Sequence, residues 1–251
     1  MKFGVADYGM NVWDGGCYDF ETRLEELRSI GYDGTERLEC IDAADALYKA
    51  AAYRRLGMDF ATCRGPNVEV SLRFSAGFGK EYIWLTPGSA PRDLDMETYL
   101  RRSNRFVEVA ARFGVKAALH NHLGSRIEKQ EELDLFMEKC PGASLILDIG
   151  HLHGAGGDIL GTIDKYFDRI AVVHFKDVFI KDANVGLEAW STRLRFCELG
   201  AGNADEPWAE AAKLLKKRGY DKWVLVEHDT HLRDPLIDLK VSIDALKKIF
   251  C

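Results

Sequence analysis

Short runs of β-branched and aromatic residues alternate along the chain with longer segments whose apolar positions recur every three to four residues. Lys2–Ala6 predicts a first strand. Asp19 then caps a helix to Ile30, with Leu24, Leu27 and Ile30 at helical spacing and Gly31 as its stop. The rhythm repeats. Strands are predicted at Thr35–Glu39, Asp59–Cys63, Tyr82–Thr86, Val115–His120, Ser144–Asp148, Arg169–His174 and Val224–His228. Helices are predicted at Ala43–Leu56, Val68–Phe78, Asp95–Phe113, Lys129–Lys139, Ile159–Phe167, Glu206–Lys217 and Pro235–Phe250, with Val68–Phe78 the weakest pattern. Repeated strand–helix units imply right-handed crossovers and a parallel sheet. Eight of them in 251 residues favour closure into one (β/α)8 TIM barrel, residues 1–251, with no linker to a second domain. The longest stretch outside this rhythm, Phe175–Asp205, has the size of an active-site lid.

Composition narrows the partners. At 47% hydrophobic and 29% charged, the chain can bury an ordinary globular core. With 34 basic against 40 acidic residues, a net −6, it does not read as a binder of nucleic-acid backbones, although a locally basic pocket is allowed. The six cysteines show no CxxC spacing and read as reduced thiols of a cytoplasmic protein. No signal-peptide pattern opens the sequence, and no apolar run is long enough to cross a bilayer, so no membrane partner is expected.

The chemistry concentrates in the second half, where all seven histidines lie after residue 119. The fifth strand ends in His120-Asn121-His122 and the sixth in Asp148-Ile149-Gly150-His151, with His153 beyond. The seventh ends in His174-Phe175-Lys176-Asp177 and the eighth in Glu227-His228-Asp229. The carboxyl ends of barrel strands share one rim, so four consecutive strands deliver imidazoles or carboxylates to one region. Such ligands suit one divalent ion (Mn, Co, Zn, Fe or Mg), and the carboxylates favour manganese. Taken singly, each is equally a helix cap or a hydrogen-bonded structural residue; together they point to a metal.

These segments resemble the xylose-isomerase-like barrel superfamily of sugar isomerases, epimerases and dehydratases. His120–Ser125, Leu147–His151 and Gly156-Gly157-Asp158 are similar, more specifically, to inosose dehydratase and its relatives. The resemblance implies Asp148, His174 and Glu227 as metal ligands, with His120 at the strand-five position where an epimerase has glutamate, and His122 as the alternative ligand there. It also implies that His151 contacts substrate hydroxyls. Epimerases commonly use two carboxylates on opposite faces of the substrate, and only Glu227 matches. The expected chemistry is therefore elimination of water from a keto-sugar or keto-cyclitol, with Glu227 as base and a protonated imidazole (His151) or Lys176 aiding departure of the hydroxyl. Isomerase or epimerase chemistry is the alternative; an abasic-site endonuclease or a non-catalytic sugar-binding barrel fits less well. Further candidates for substrate contact are Trp13 after the first strand, Glu39 ending the second, His122, His153, and Glu198 in a Gly-rich turn. Homo-oligomerisation through rim loops is an open expectation.

Overall fold

Strand and helix follow one another around a ring in the order the pattern predicts. The computed structural model describes residues 1–6, 19–88, 90–204, 207–230 and 232–251; Trp13, Cys17 and Glu206 lie outside them. The barrel strands are β1 (Lys2–Ala6), β2 (Gly34–Glu39), β3 (Asp59–Arg64), β4 (Tyr82–Trp84), β5 (Lys116–His120), β6 (Ser144–Asp148), β7 (Ile170–Phe175) and β10 (Trp223–Glu227). All their ladders are parallel, in the order β3-β2-β1-β10-β7-β6-β5-β4. The last strand therefore pairs with the first, Ala6 opposite Glu227. Where β3 meets β4 the Thr62 hydroxyl donates to the Tyr82 carbonyl, so the barrel is nearly closed.

Helices α1 (Phe20–Ile30), α2 (Ala43–Arg55), α3 (Val68–Gly77), α4 (Met96–Arg112), α5 (Gln130–Lys139) and α7 (Ile159–Tyr166) surround the strands. Asp19, Asp42, Asn67, Asp95 and Asp158 each accept an amide hydrogen bond at a helix start, which is why the predicted boundaries lie within a residue or two. The main apolar core fills the layer between strands and helices. A second cluster lines the barrel interior, with Ala6, Ala61 and Ala118 leaving room for Tyr82, Trp84 and Trp223.

Two features depart from the prediction. Directly after β6 comes a short helix, α6 (Ile149–Gly154), which Asp148 caps. The stretch expected to be irregular holds an antiparallel hairpin, β8 (Asp177–Ile180) with β9 (Leu194–Cys197), preceded at β9 by the single turn α8 (Trp190–Arg193). It is an ordered wall beside the barrel mouth. Helices α9 (Pro207–Lys217) and α10 (Pro235–Phe250) complete the ring. No helix among the described residues is long and apolar enough to cross a membrane.

Gly34 marks the tightest backbone contact: a Cβ there would lie 1.7 Å from the Asp59 carbonyl oxygen and 3.0 Å from Trp223. Gly34→Ala should cost about 3 kcal/mol or more, because backbone cannot yield as a side chain does. Gly77, in the last turn of α3, has nothing within 4 Å of such a Cβ. Gly77→Ala should be neutral or stabilise by about 0.5 kcal/mol. Urea denaturation of the two variants checks the contrast; equal stabilities would refute it.

Candidate metal centre

At the carboxyl rim, His120 ends β5, Asp148 ends β6, His174 is the penultimate residue of β7, and Glu227 ends β10. Asp148 and His174 are direct partners across the β6–β7 ladder. Asn121 clamps the Asp148 backbone, donating to its carbonyl at 2.9 Å and accepting from its amide at 3.0 Å. Asp148 Oδ1 caps α6 by accepting from the His151 amide at 2.7 Å, which leaves Oδ2 for the cluster.

One donor atom from each of the four residues lies within 4.8 Å of the others. His174 Nδ1 is 2.7 Å from Glu227 Oε2 and 3.7 Å from Asp148 Oδ2. His120 Nε2 is 3.4 Å from Asp148 Oδ2 and 3.9 Å from Glu227 Oε2. Tetrahedral ligands at ordinary bond lengths stand roughly 3.3 Å apart, so the set fits one divalent ion. His122, the alternative for strand five, is not in this set. Its Nδ1 meets the Leu123 carbonyl at 2.5 Å, and its ring lies 3.7 Å from that of His151, tilted by 38°.

Behind the ligands sits a carboxylate that the sequence reading passed over. Glu36, midway along β2 and fully buried, places Oε1 3.2 Å from His174 Nε2. Trp84 Nε1 at 2.8 Å and the Tyr82 hydroxyl at 3.1 Å donate to the same oxygen. A carboxylate on one imidazole nitrogen fixes the ring and presents the other to a metal. Its one sequence signal was a carboxylate in the middle of a strand. Glu39, chosen at the strand end instead, is 43% exposed and pairs with Arg64 at 3.2 Å.

Lys176 stands beside the same oxygens. Its buried Nζ is 3.0 Å from Asp148 Oδ2, 3.1 Å from Glu227 Oε2 and 2.7 Å from Asp229 Oδ2. Gly150 makes room for its stem, since a Cβ there would fall 2.3 Å from Lys176 Cγ. Burial alone would strip the ammonium of its proton, but Asp148, Asp229 and Glu227 hold it there and raise its pKa. In return, against the cost of burial, Lys176 keeps Asp148 well below the usual carboxylate range and brings Glu227 to about 2. For Asp229 burial and the Glu227 charge outweigh Lys176, and its carboxyl rises to about 6. His174 is raised well above an ordinary imidazole, because Glu36 and Glu227 overcome its burial. The surplus of negative charge is what a divalent cation would offset.

His151 Nδ1 accepts from the Leu123 amide at 3.3 Å, so its neutral ring carries the proton on Nε2. Burial and then Lys176 hold it well below its usual pKa; burial, His120 and Lys176 bring His122 to about 4. The protonated imidazole expected as an acid does not fit either ring. Both face a cavity of about 430 Å³ that Glu227, Asp229, Trp190 and Phe196 also line, so the β8–β9 excursion supplies its outer wall. His153, on α6, and Glu198, paired with Arg233 at 2.7 Å, do not line that cavity.

Residues 67–249 match a family described as the xylose isomerase-like TIM barrel. The inosose dehydratase of Bacillus licheniformis is 33% identical over 144 residues, 53% of this chain and 47% of that protein. That of Lactiplantibacillus plantarum is 28% identical over 247 residues, 92% of this chain and 79% of that protein. In the first of these the match thus spans about half the relative's length. The solved structure of the IolI protein with a bound zinc atom superposes with a TM-score of 0.69 at 15% identity, over 100% of this chain and 98% of that one. At that identity the likeness shows the fold.

Glu36→Gln should weaken binding of Mn²⁺ or Zn²⁺ roughly 10- to 100-fold by loosening His174. His120→Ala should weaken it further, and His122→Ala should leave it unchanged. Competition against a chromophoric chelator measures all three, and equal losses for His120→Ala and His122→Ala would overturn the ligand assignment.

Proposed function

We propose, from the premise that the chain belongs to the xylose isomerase-like TIM-barrel family, that it is a divalent-metal-dependent dehydratase of a keto-sugar or keto-cyclitol. The observation that carries this reading is the convergence of His120, Asp148, His174 and Glu227 on one point, with the Lys176 ammonium beside them. Manganese is favoured, because two of the four ligands are carboxylates. A bound ion would supply Lewis acidity for a ketone oxygen and for the negative charge that proton loss creates.

The protein's own groups divide the remaining work. Glu227 takes the proton from the carbon beside the carbonyl. The electron pair left behind forms the new double bond and expels the hydroxyl from the neighbouring carbon, and that oxygen leaves as water after gaining a proton. Lys176, hydrogen-bonded to Asp229 on the cavity side, places a cationic donor where the hydroxyl departs. Neutral His151, with its proton on Nε2, donates to a second hydroxyl and orients the ring. Trp190 and Phe196 wall the site against water.

Epimerisation or isomerisation is the second reading, and Asp229 favours it. It lines the same cavity as Glu227 and supplies the second carboxylate that a two-base reaction needs. The small-molecule substrate is common to both.

Purified protein should hold about one divalent ion per chain. Glu227→Gln should lower turnover by at least about 10³, and Lys176→Met by roughly 10²–10⁴, with the metal retained in the second variant. Proton NMR of candidate keto-sugars in deuterated water should show exchange beside the ketone together with loss of water. Exchange with inversion and no water loss would replace the dehydratase by an epimerase; a chain that binds no metal and exchanges nothing would end both readings.

A further inference from the structure

A second cavity, about 470 Å³, opens on the same rim over β2, β3 and β4. Its charged lining residues are Arg37 and Arg64, and no described carboxylate lines it. That is notable in a chain with more acidic than basic residues. The Arg37 guanidinium lies over the Trp84 ring, 4.7 Å from its centroid. The side chain is only 15% exposed, and its buried Nε has no hydrogen-bond partner among the described residues. The nearest carboxylate, Glu39, is 3.9 Å from that nitrogen and engages Arg64 at 3.2 Å. Among the described residues Glu39 is the carboxylate within 4 Å of these two guanidinium groups, and the charge of buried Glu36 reaches Arg37 from outside the cavity lining. The amino end of α3, with Asn67 and Ser71, opens on the same space and adds positive potential.

The cavity adjoins the metal centre. The Trp84 ring that carries Arg37 is 4.5 Å from the His120 ring and 5.9 Å from the His174 ring. A guanidinium stacked on an aromatic face keeps its edge free, and that edge matches a carboxylate with two parallel hydrogen bonds. We infer that this cavity is a subsite for a carboxylate carried by the substrate, which makes the substrate a sugar acid or cyclitol acid and not a neutral polyol. Arg37 is the direct partner of the carboxylate, and Arg64 adds charge at the cavity mouth. The rest of the ligand would then lie towards the metal centre, past the Trp84 ring. The inference deepens the proposed function by naming a substrate class, and it rests on that reading for the other half of the ligand.

Calorimetric titration of the full chain tests it with D-glucuronate and D-galacturonate against D-glucose, myo-inositol and glucose 6-phosphate. Each titration is run after EDTA treatment and again with Mn²⁺ restored. At least one acid should bind roughly tenfold or more tighter than the neutral compounds, the gain expected of a charge-assisted pair. Arg37→Met should erase that preference, and Arg37→Lys should restore only part of it. Arg64, 62% exposed, can be changed to Met without disturbing the core, and that variant should reduce the preference even if Arg37→Met fails to fold. Equal affinities for acids and neutral compounds, no binding of either acid, or an unchanged preference in Arg64→Met would overturn the subsite. Preference for glucose 6-phosphate would overturn the carboxylate. Because the EDTA arm needs no metal, an acid preference there without later Mn²⁺ uptake would sink the metal reading alone.

Discussion

Three carboxylates, Asp148, Glu227 and Asp229, surround the Lys176 ammonium at the mouth of a nearly closed barrel, and a fourth, Glu36, backs His174 from mid-strand. So much negative charge away from water is tolerated only where cations and hydrogen bonds match it. The surrounding structure supplies those matches. Asn121 fixes the Asp148 backbone, α6 takes one of the Asp148 oxygens, and Tyr82 and Trp84 satisfy Glu36. Gly150 lets the Lys176 stem pass. Each is a local detail that fixes the position of one of these charged groups.

The barrel makes this affordable through small residues. Alanine at positions 6, 61 and 118, and glycine at 4 and 34, concede interior space to Tyr82, Trp84 and Trp223. Trp84 can then serve four neighbours at once: its indole N–H holds Glu36, its ring meets those of His120 and His174, and Arg37 lies over it. A smaller side chain at 84 would uncouple the carboxylate behind His174 from the basic cavity beside it.

Most of this was legible in the sequence for identifiable reasons. Helix starts announce themselves through capping aspartates, and barrel strands deliver their terminal residues to one rim whatever the side-chain details; hence Asp19, Asp95, His120, Asp148 and Glu227 could be placed. Glu36 was hidden because its role depends on facing the interior from mid-strand, and the strand-end rule drew attention to Glu39. Helix α6 was missed because Ile149–Gly154 is too short for an apolar period and its cap, Asp148, already stood assigned to the metal. The β8–β9 hairpin escaped notice because its two four-residue strands are separated by a long connection and run antiparallel beside a parallel sheet. His153 and Glu198 share motifs with site residues, yet helix geometry and Arg233 carry them elsewhere.

The mouth of the barrel is electrically divided. Strands β5, β6, β7 and β10 present imidazoles and carboxylates suited to a cation, while β2 and β3 present two guanidinium groups. Trp84 stands between them, an apolar plane with a donor on its edge. For the proposed acidic substrate, reversed binding would set its carboxylate against Asp148 and Glu227 and leave Arg37 facing a neutral group. Like-charge contact at one end and an unmatched buried cation at the other both disfavour that pose. On that proposal, orientation would be set by repulsion as much as by attraction. The other wall, formed by His151 and the β8–β9 hairpin, would then contact the hydroxyls.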